Sequence, residues 1–298
     1  MKNGFIIFLI LTLITCGLFF FYKKLTVYST TSTVFGHNLT ISAEGLNSIE
    51  SVKLSLERLS EIETEINGDN PDSKISKINN GERADASISR LITRVASLSA
   101  ASDWAFSIMY KTSDVGKIVQ NMSSLPFGNS PSSDLYIDVE RIAIGYSIDE
   151  MMEVLRKNAT VSANLIVDGC AIAVSGNKPY VADIHYPMAP ASQSMATVEL
   201  LNKTLITHEA SINNSSVLDA RTGLSASSGI LSATVIHDVA TDADILANIL
   251  LTIGEDGLKL VEECGGSGFV VTNRMEVKTT KGFNFTTLNN NFLFTKED

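Results

Sequence analysis

Cysteine, tryptophan and histidine are scarce in this chain, and so are clusters of positive charge. Three cysteines, Cys16, Cys170 and Cys264, are too few and too scattered for a disulfide framework or a zinc site. Four histidines, His37, His185, His208 and His237, show no His-x-x-x-His spacing, so each reads as an ordinary surface or half-buried residue. With 23 Lys and Arg against 33 Asp and Glu, the formal net charge is −10. Binding a phosphate backbone takes grouped cations, and none are grouped here, so no nucleic-acid partner is expected. The 298 residues, 44% of them hydrophobic and one of them Trp, allow one large domain or two small ones.

One long apolar run stands out. Gly4 to Tyr22 is almost entirely apolar, with Lys2 before it and Lys23 and Lys24 after it. Roughly 19 residues at about 1.5 Å each span nearly 30 Å, enough to cross a bilayer core. No small-residue cleavage site follows, so residues 1–24 read as an uncleaved membrane anchor. A rival reading starts from Leu13-Ile14-Thr15-Cys16, which resembles a bacterial lipobox with Cys16 as the acylated residue. Either reading sets the remaining residues, 25–298, at a membrane face. Basic residues at both ends of the run leave its orientation open.

Thr26 to Thr33 is polar and reads as a linker into a first strand over Thr33 to Ile41. Leu46, Ile49, Val52, Leu56, Leu59, Ile62 and Ile66 recur at steps of three and four, which predicts an amphipathic helix ended by Asn67-Gly68-Asp69-Asn70-Pro71. Ile88 to Ala101 predicts a second helix, and Asn121 to Ser133 a loop. Leu135-Tyr136-Ile137, Asp138 and Gly145 then read as a strand, a turn and the start of a helix bearing Ile148, Met151, Met152 and Leu155. Free N–H groups at such a junction can face an anion. Strands are expected over Ser162 to Val174, Val181 to Tyr186, Thr197 to Leu201, Thr204 to His208 and Ile230 to His237. Thr241 to Glu263 predicts a helix with Asp242 as its cap and a break at Gly254 and Gly257, and further strands finish the chain. The fold class expected is α+β: antiparallel sheets with packed helices in one globular domain.

Four blocks in fixed order carry a resemblance. They are Asp138-Val139-Glu140-Arg141-Ile142-Ala143-Ile144-Gly145-Tyr146-Ser147-Ile148-Asp149, then Leu165-Ile166-Val167-Asp168-Gly169-Cys170, then Asp219-Ala220-Arg221-Thr222-Gly223, and last Ala243-Asp244-Ile245-Leu246-Ala247-Asn248. Together they resemble the ApbE family, the FAD:protein FMN transferases, over roughly residues 34 to 275. The resemblance implies transfer of FMN from FAD to a Thr or Ser hydroxyl of a partner protein, with AMP leaving. It implies Mg²⁺ on the diphosphate, held by Asp244, Asn248 and the Arg141 carbonyl. Asp244 and Asn248, four residues apart, share a helix face. Asp244 is also the implied catalytic residue.

Flavin contacts are implied for Phe35, Ala105, Phe106, Ser107, Asp138, Ile144, Ser216 and Asp219. Several of these positions depart from the family pattern. Phe35 stands for a Met, Ser107 for an Asp, Ile144 for a Lys, Ser216 for a His and Asn248 for a Thr, while His208 falls in a family Thr-Ser-Gly segment. Asp69 lies near the position of a flavin-packing Tyr. The acceptor's flavinylation motif is absent from this chain, so the acceptor is expected in trans. The family also implies a bacterial inner-membrane location with the domain facing the periplasm or the cell exterior. Two other readings use the same residues: a flavin-binding protein without transfer, and an FAD pyrophosphatase.

Overall fold

The structure, a computed structural model, describes residues 2–24, 26–111, 135–158, 160–187, 193–210, 217–288 and 293–294. The chain opens with α1 (Lys2–Lys24), β1 (Val27–Val34), β2 (His37–Glu44), α2 (Ser48–Ile66), α3 (Lys74–Asn79), α4 (Ala86–Ala101), β3 (Met109–Lys111) and β4 (Leu135–Ile137). A short 3-10 turn at Glu140–Ile142 leads into α5 (Ala143–Lys157), β5 (Ser162–Val167), β6 (Ala171–Ser175), β7 (Tyr180–His185), β8 (Ser194–Leu200) and β9 (Thr204–Glu209). After these come β10 (Leu218–Asp219), β11 (Leu224–Ser225), β12 (Ile230–His237), α6 (Ala240–Ile253), α7 (Leu258–Glu263), β13 (Ser267–Thr272), β14 (Glu276–Thr279), β15 (Thr286–Thr287) and β16 (Leu293–Phe294).

Nine strands form one sheet in the order β1-β2-β5-β6-β9-β12-β13-β14-β16, antiparallel except for the β14–β16 pair. Alternate residues of its strands feed two separate cores, as the two-residue period of a strand requires. Ile206, Val235 and Val270 point into the core shared with the helices. Their neighbours Leu205, Ile236, Phe269 and Val271 point the other way, against a three-stranded sheet, β15-β8-β7. The α+β expectation therefore holds, as helices, a large sheet and a small sheet in layers.

α6 lies at the centre, packed between α5 and the strands β9 and β12. Its residues from Ala240 to Thr252 are all buried. Burying a side chain such as Ile245, Leu246, Ile249 or Leu250 contributes about 1.5–3 kcal/mol each, so this helix is held by packing on all sides. α2 meets α5 through small residues: Ser51 and Ser55 are buried, and the Ser55 hydroxyl donates to the Met151 carbonyl at 3.2 Å.

Several details differ from the sequence reading. The expected linker Thr26 to Thr33 is a strand, β1, and a turn at Phe35-Gly36 cuts the expected first strand. Both turn residues have positive φ, +43° and +83°, which matches a tight hairpin loop. Leu46 and Ile49 stand exposed rather than opening the apolar stripe of α2. Ser162 to Val174 is two strands, β5 and β6, folded at Asp168–Cys170. Gly145 lies inside α5, not in a turn before it. Asp242 does not cap α6: its carboxylate pairs with Arg94 of α4. The cap comes from Asp149 of α5, whose oxygens accept from the Ala240 and Thr241 N–H groups and from the Thr241 hydroxyl at 2.6–2.8 Å. Burial pushes the Asp149 carboxyl up, against the pull of those bonds.

The loop expected over Asn121 to Ser133 lies outside the described residues. Among the described residues no helix is long and apolar enough to cross a membrane. α1 is helical over Lys2–Lys24, and side chains at both its ends fall outside the described set.

Candidate active site

Two separate pieces of chain bring the expected metal ligands together. The 3-10 turn ahead of α5 supplies the Arg141 carbonyl, and one face of α6 supplies Asp244 and Asn248, one helical turn apart. Both side chains are buried, at 1% and 4% exposure. Asn248 Nδ2 donates to the Arg141 carbonyl at 3.2 Å and to the Asp244 carbonyl at 3.0 Å, and lies 3.3 Å from Asp244 Oδ1. Asp244 Oδ2 accepts the Gly145 N–H at 2.8 Å, which fixes the carboxylate from the α5 side.

That last bond explains the glycine. A Cβ at position 145 would lie 2.7 Å from the Ala240 carbonyl oxygen, 2.7 Å from Asp244 Cβ and 2.9 Å from Asp244 Oδ2. Only a residue without a side chain lets α5 and α6 come this close.

The fourth member of the centre went unread in the sequence. His208, near the end of β9, points its Nε2 at Asp244 Oδ1 at 2.6 Å and lies 3.2 Å from Asn248 Nδ2. A carboxylate only accepts, so Nε2 is the donor in this arrangement. The His208 side chain is 25% exposed, so the centre opens to solvent on that side. No local spacing marks His208; its place follows from β9 running beside α6. Negative charge gathers here too. Burial pushes the Cys170 thiol up to about 11, and Asp244, Glu209 and Asp168 add to the effect.

Among the described residues no three His, Cys, Asp or Glu side chains cluster as a metal site. A cation here would rest on two such side chains, an amide and a backbone carbonyl. The amide decides the fit. Asn248 Nδ2 has three oxygens and one ring nitrogen within 3.3 Å and only two protons for them. Turning the amide half-way round would put Oδ1 among those oxygens, and a cation would then be needed to hold them together. With the amide turned, the residues fit a divalent ion.

The residues read as flavin contacts are spread around this centre. Ile144 is half-buried against the main core. Asp138 follows β4, and its Oδ1 accepts the Glu140 N–H at 2.9 Å. Ala105, Phe106 and Ser107 are buried, and the Ala105 carbonyl accepts the Ala220 N–H at 2.9 Å, tying this segment to the Asp219 turn. Phe35 packs against the main core, and its N–H donates to Glu63 Oε1 at 3.0 Å. Asp219 is gripped by Arg221 through Nε at 2.9 Å and Nη2 at 2.6 Å, which holds its carboxyl below the usual carboxylate range. Ser216 lies outside the described residues.

A cleft of about 750 Å³ is lined by Asp103, Asp219, Arg221, Thr222, Ser228 and Thr252, among others. Arg141, His208, Asp244 and Asn248 do not line it. The two places touch through α6: the Thr252 hydroxyl donates to the Asn248 carbonyl at 2.9 Å. Tyr136 of β4 stands on the surface, close in sequence to Asp138. Its ring is 40% exposed, and its hydroxyl lies near Gly68, one residue before Asp69.

Solved structures share this fold. The apo form of the flavinyl transferase ApbE of Pseudomonas stutzeri aligns with a TM-score of 0.70 at 20% identity, over 87% of this chain and 96% of that one. The ApbE protein of Thermotoga maritima gives 0.70 at 16%, over 86% and 97%. Vibrio cholerae flavin transferase ApbE gives 0.66 at 15%, over 90% and 99%. No curated protein matches the sequence. The ApbE family model matches residues 112–270, more than half of the 298 and inclusive of Arg141, His208, Asp244 and Asn248, and the chain belongs to the ApbE family.

Proposed function

We propose that this chain transfers FMN from FAD to a Thr or Ser hydroxyl of a partner protein and releases AMP. The observation that carries the reading is the meeting of the Arg141 carbonyl, Asp244 and Asn248 at one buried point, in a chain of this family. A divalent ion bound there, Mg²⁺ in the family pattern, would neutralise charge on the diphosphate as the phosphorus is attacked.

The chain's own groups do the rest. The Gly145 N–H holds one oxygen of Asp244 and leaves the other directed into the centre. Asp149 fixes the start of α6 and so sets where Asp244 and Asn248 stand. Ile144, in place of a lysine, leaves the diphosphate without that cation, and Arg141 is the nearest positive side chain in sequence. Asp138 and the cleft beside Asp219 are the proposed flavin contacts, with the exposed Tyr136 ring as an aromatic face.

The test incubates the full chain with FAD, a divalent ion and a domain bearing the flavinylation motif, then reads mass. An added FMN with released AMP is expected, and Asp244→Ala should lose it. Transfer that survives Asp244→Ala would refute this assignment. AMP without adduct would instead mean pyrophosphatase action, and FAD binding without either product a flavin-binding protein.

α1 is proposed to anchor the domain at the bacterial inner membrane, with residues 25–298 facing the periplasm or the cell exterior. Supporting this, its described apolar side chains, such as Phe8, Leu13 and Leu18, are 62–69% exposed. Cys16→Ser should leave the chain in the membrane fraction; release by that change would favour the lipoprotein reading instead.

A further inference from the structure

His208 adds to the Asp244 centre something an oxygen cage lacks, an imidazole nitrogen. We propose that this centre selects a borderline transition ion of the manganese or zinc class over Mg²⁺, with His208 Nε2 as a ligand. The inference rests on the reading of the Asp244 centre as a cation site.

The spacing of the atoms supports it. Two ligands about 2.1 Å from one ion and about 90° apart are about 3.0 Å from each other. The inner atom of the Asn248 amide is 3.2 Å from the Arg141 carbonyl oxygen, 3.3 Å from Asp244 Oδ1 and 3.2 Å from His208 Nε2. Once the amide turns, the Asn248 oxygen stands at ligand-to-ligand separation from each of the other three donors. One distance must change. His208 Nε2 and Asp244 Oδ1, at 2.6 Å, are joined by a hydrogen bond and would open by about 0.4 Å as the ion replaces the proton between them. The ring then takes the tautomer with its proton on Nδ1.

The chemistry of the donors sets the preference. Mg²⁺ favours oxygen ligands and a near-octahedral shell, and gives up water reluctantly. Imidazole nitrogen suits zinc, iron and manganese-class ions, which also accept carboxylate and carbonyl oxygen. His208 already stands with its Nε2 against Asp244 Oδ1, at 2.6 Å. For Mg²⁺ to bind, this ring must be displaced or left as an unused neighbour; for a transition ion it becomes a bond. The carboxylates of Glu209 and Asp168, close enough to raise the Cys170 thiol together with Asp244, add attraction for any divalent cation without favouring one.

The experiment uses the full chain in mild detergent, stripped of metal, and measures Mn²⁺, Zn²⁺ and Mg²⁺ binding by calorimetry. Pulsed electron paramagnetic resonance on the Mn²⁺ form then looks for coupling to ¹⁴N. Mn²⁺ and Zn²⁺ are expected to bind roughly 10- to 100-fold more tightly than Mg²⁺, the range over which changes around a metal centre act. The ¹⁴N coupling should be present in the unaltered chain and absent in His208→Ser, and that variant should narrow the gap to Mg²⁺. His208→Gln, which keeps a polar side chain of reach, guards against a folding loss and should also lack the coupling. Mg²⁺ binding as tight as Mn²⁺, or Mn²⁺ bound with no ¹⁴N coupling, would overturn the inference. FMN transfer could still occur with Mg²⁺ in that case, so the proposed transferase would survive. Loss of transfer with the ¹⁴N coupling intact would leave the ion assignment standing and remove the transferase.

Discussion

Replacing Gly145 by Ala sets two effects of opposite sign against each other, and the structure decides between them. On an open helix surface this change would stabilise by about 1 kcal/mol, since glycine is a poor helix former. Here the new Cβ would sit 2.7 Å from a backbone oxygen and 2.7 Å and 2.9 Å from atoms of Asp244. The backbone oxygen belongs to Ala240, at the start of a helix buried along its length, so it has little room to yield. Overpacking of this kind costs about 1–3 kcal/mol, and the backbone contact argues for the upper end. Pushing α5 away also breaks the Gly145 N–H bond to the Asp244 carboxylate, at about 1.5–3 kcal/mol for a charged acceptor. The net expectation is a loss of about 3.5–5 kcal/mol after the propensity gain is subtracted. Urea unfolding should show a lower midpoint with an unchanged slope, and calorimetry a weaker divalent-ion affinity, because Asp244 loses its fixed orientation. A midpoint that rises, with ion binding intact, would mean that the α5–α6 contact is slack and that Gly145 serves some other end.

Two other perturbations test neighbouring parts of the argument. Arg94→Met removes the guanidinium paired with the Asp242 carboxylate, which is 1% exposed. It should cost about 3 kcal/mol in urea unfolding, the low end for breaking a buried pair, and Asp242→Asn in the same chain should restore part of the loss. The Asp219–Arg221 pair predicts an acid-side effect. Arg221 holds the Asp219 carboxyl below the ordinary range, so the pair stabilises the fold above that range. Its contribution is lost as pH falls through the lowered value. Arg221→Ala should therefore flatten the decline of melting temperature in that window, by no more than about 1 kcal/mol. An unchanged acid limb would show that Asp219 is paired just as well in the unfolded chain.

What the sequence made legible follows the range of the interaction that fixes it. α2, α4 and α6 could be read because their apolar stripes repeat every three to four residues and need no knowledge of a partner. β1 could not, because it sits at the edge of the large sheet and exposes alternate polar side chains such as Ser29 and Thr31. A strand without an apolar face looks like a linker. Gly145 was read as a turn because glycine usually marks one; its actual requirement is set by Ala240 and Asp244, almost a hundred residues away. Asp242 looked like a cap for the same reason, since the true cap, Asp149, comes from another helix.

The candidate centre divides along the same line. Spacing alone puts Asp244 and Asn248 on one helix face, but their reading as ligands, like that of the Arg141 carbonyl, came through resemblance to a family pattern. His208 answers to neither signal. Strand β9 brings it beside α6 because His208 pairs with Ala233 of β12 while α6 packs across both strands. The same register puts Thr207 against Thr234, with their hydroxyls 2.9 Å apart, so a one-residue slip would unmake both contacts at once. Register is strongly fixed when both faces of a sheet are buried, as they are here between Ile206 in one core and Leu205 in the other. The register therefore fixes where the His208 backbone stands beside α6. The 2.6 Å contact of its Nε2 with Asp244 then aims the ring at that carboxylate.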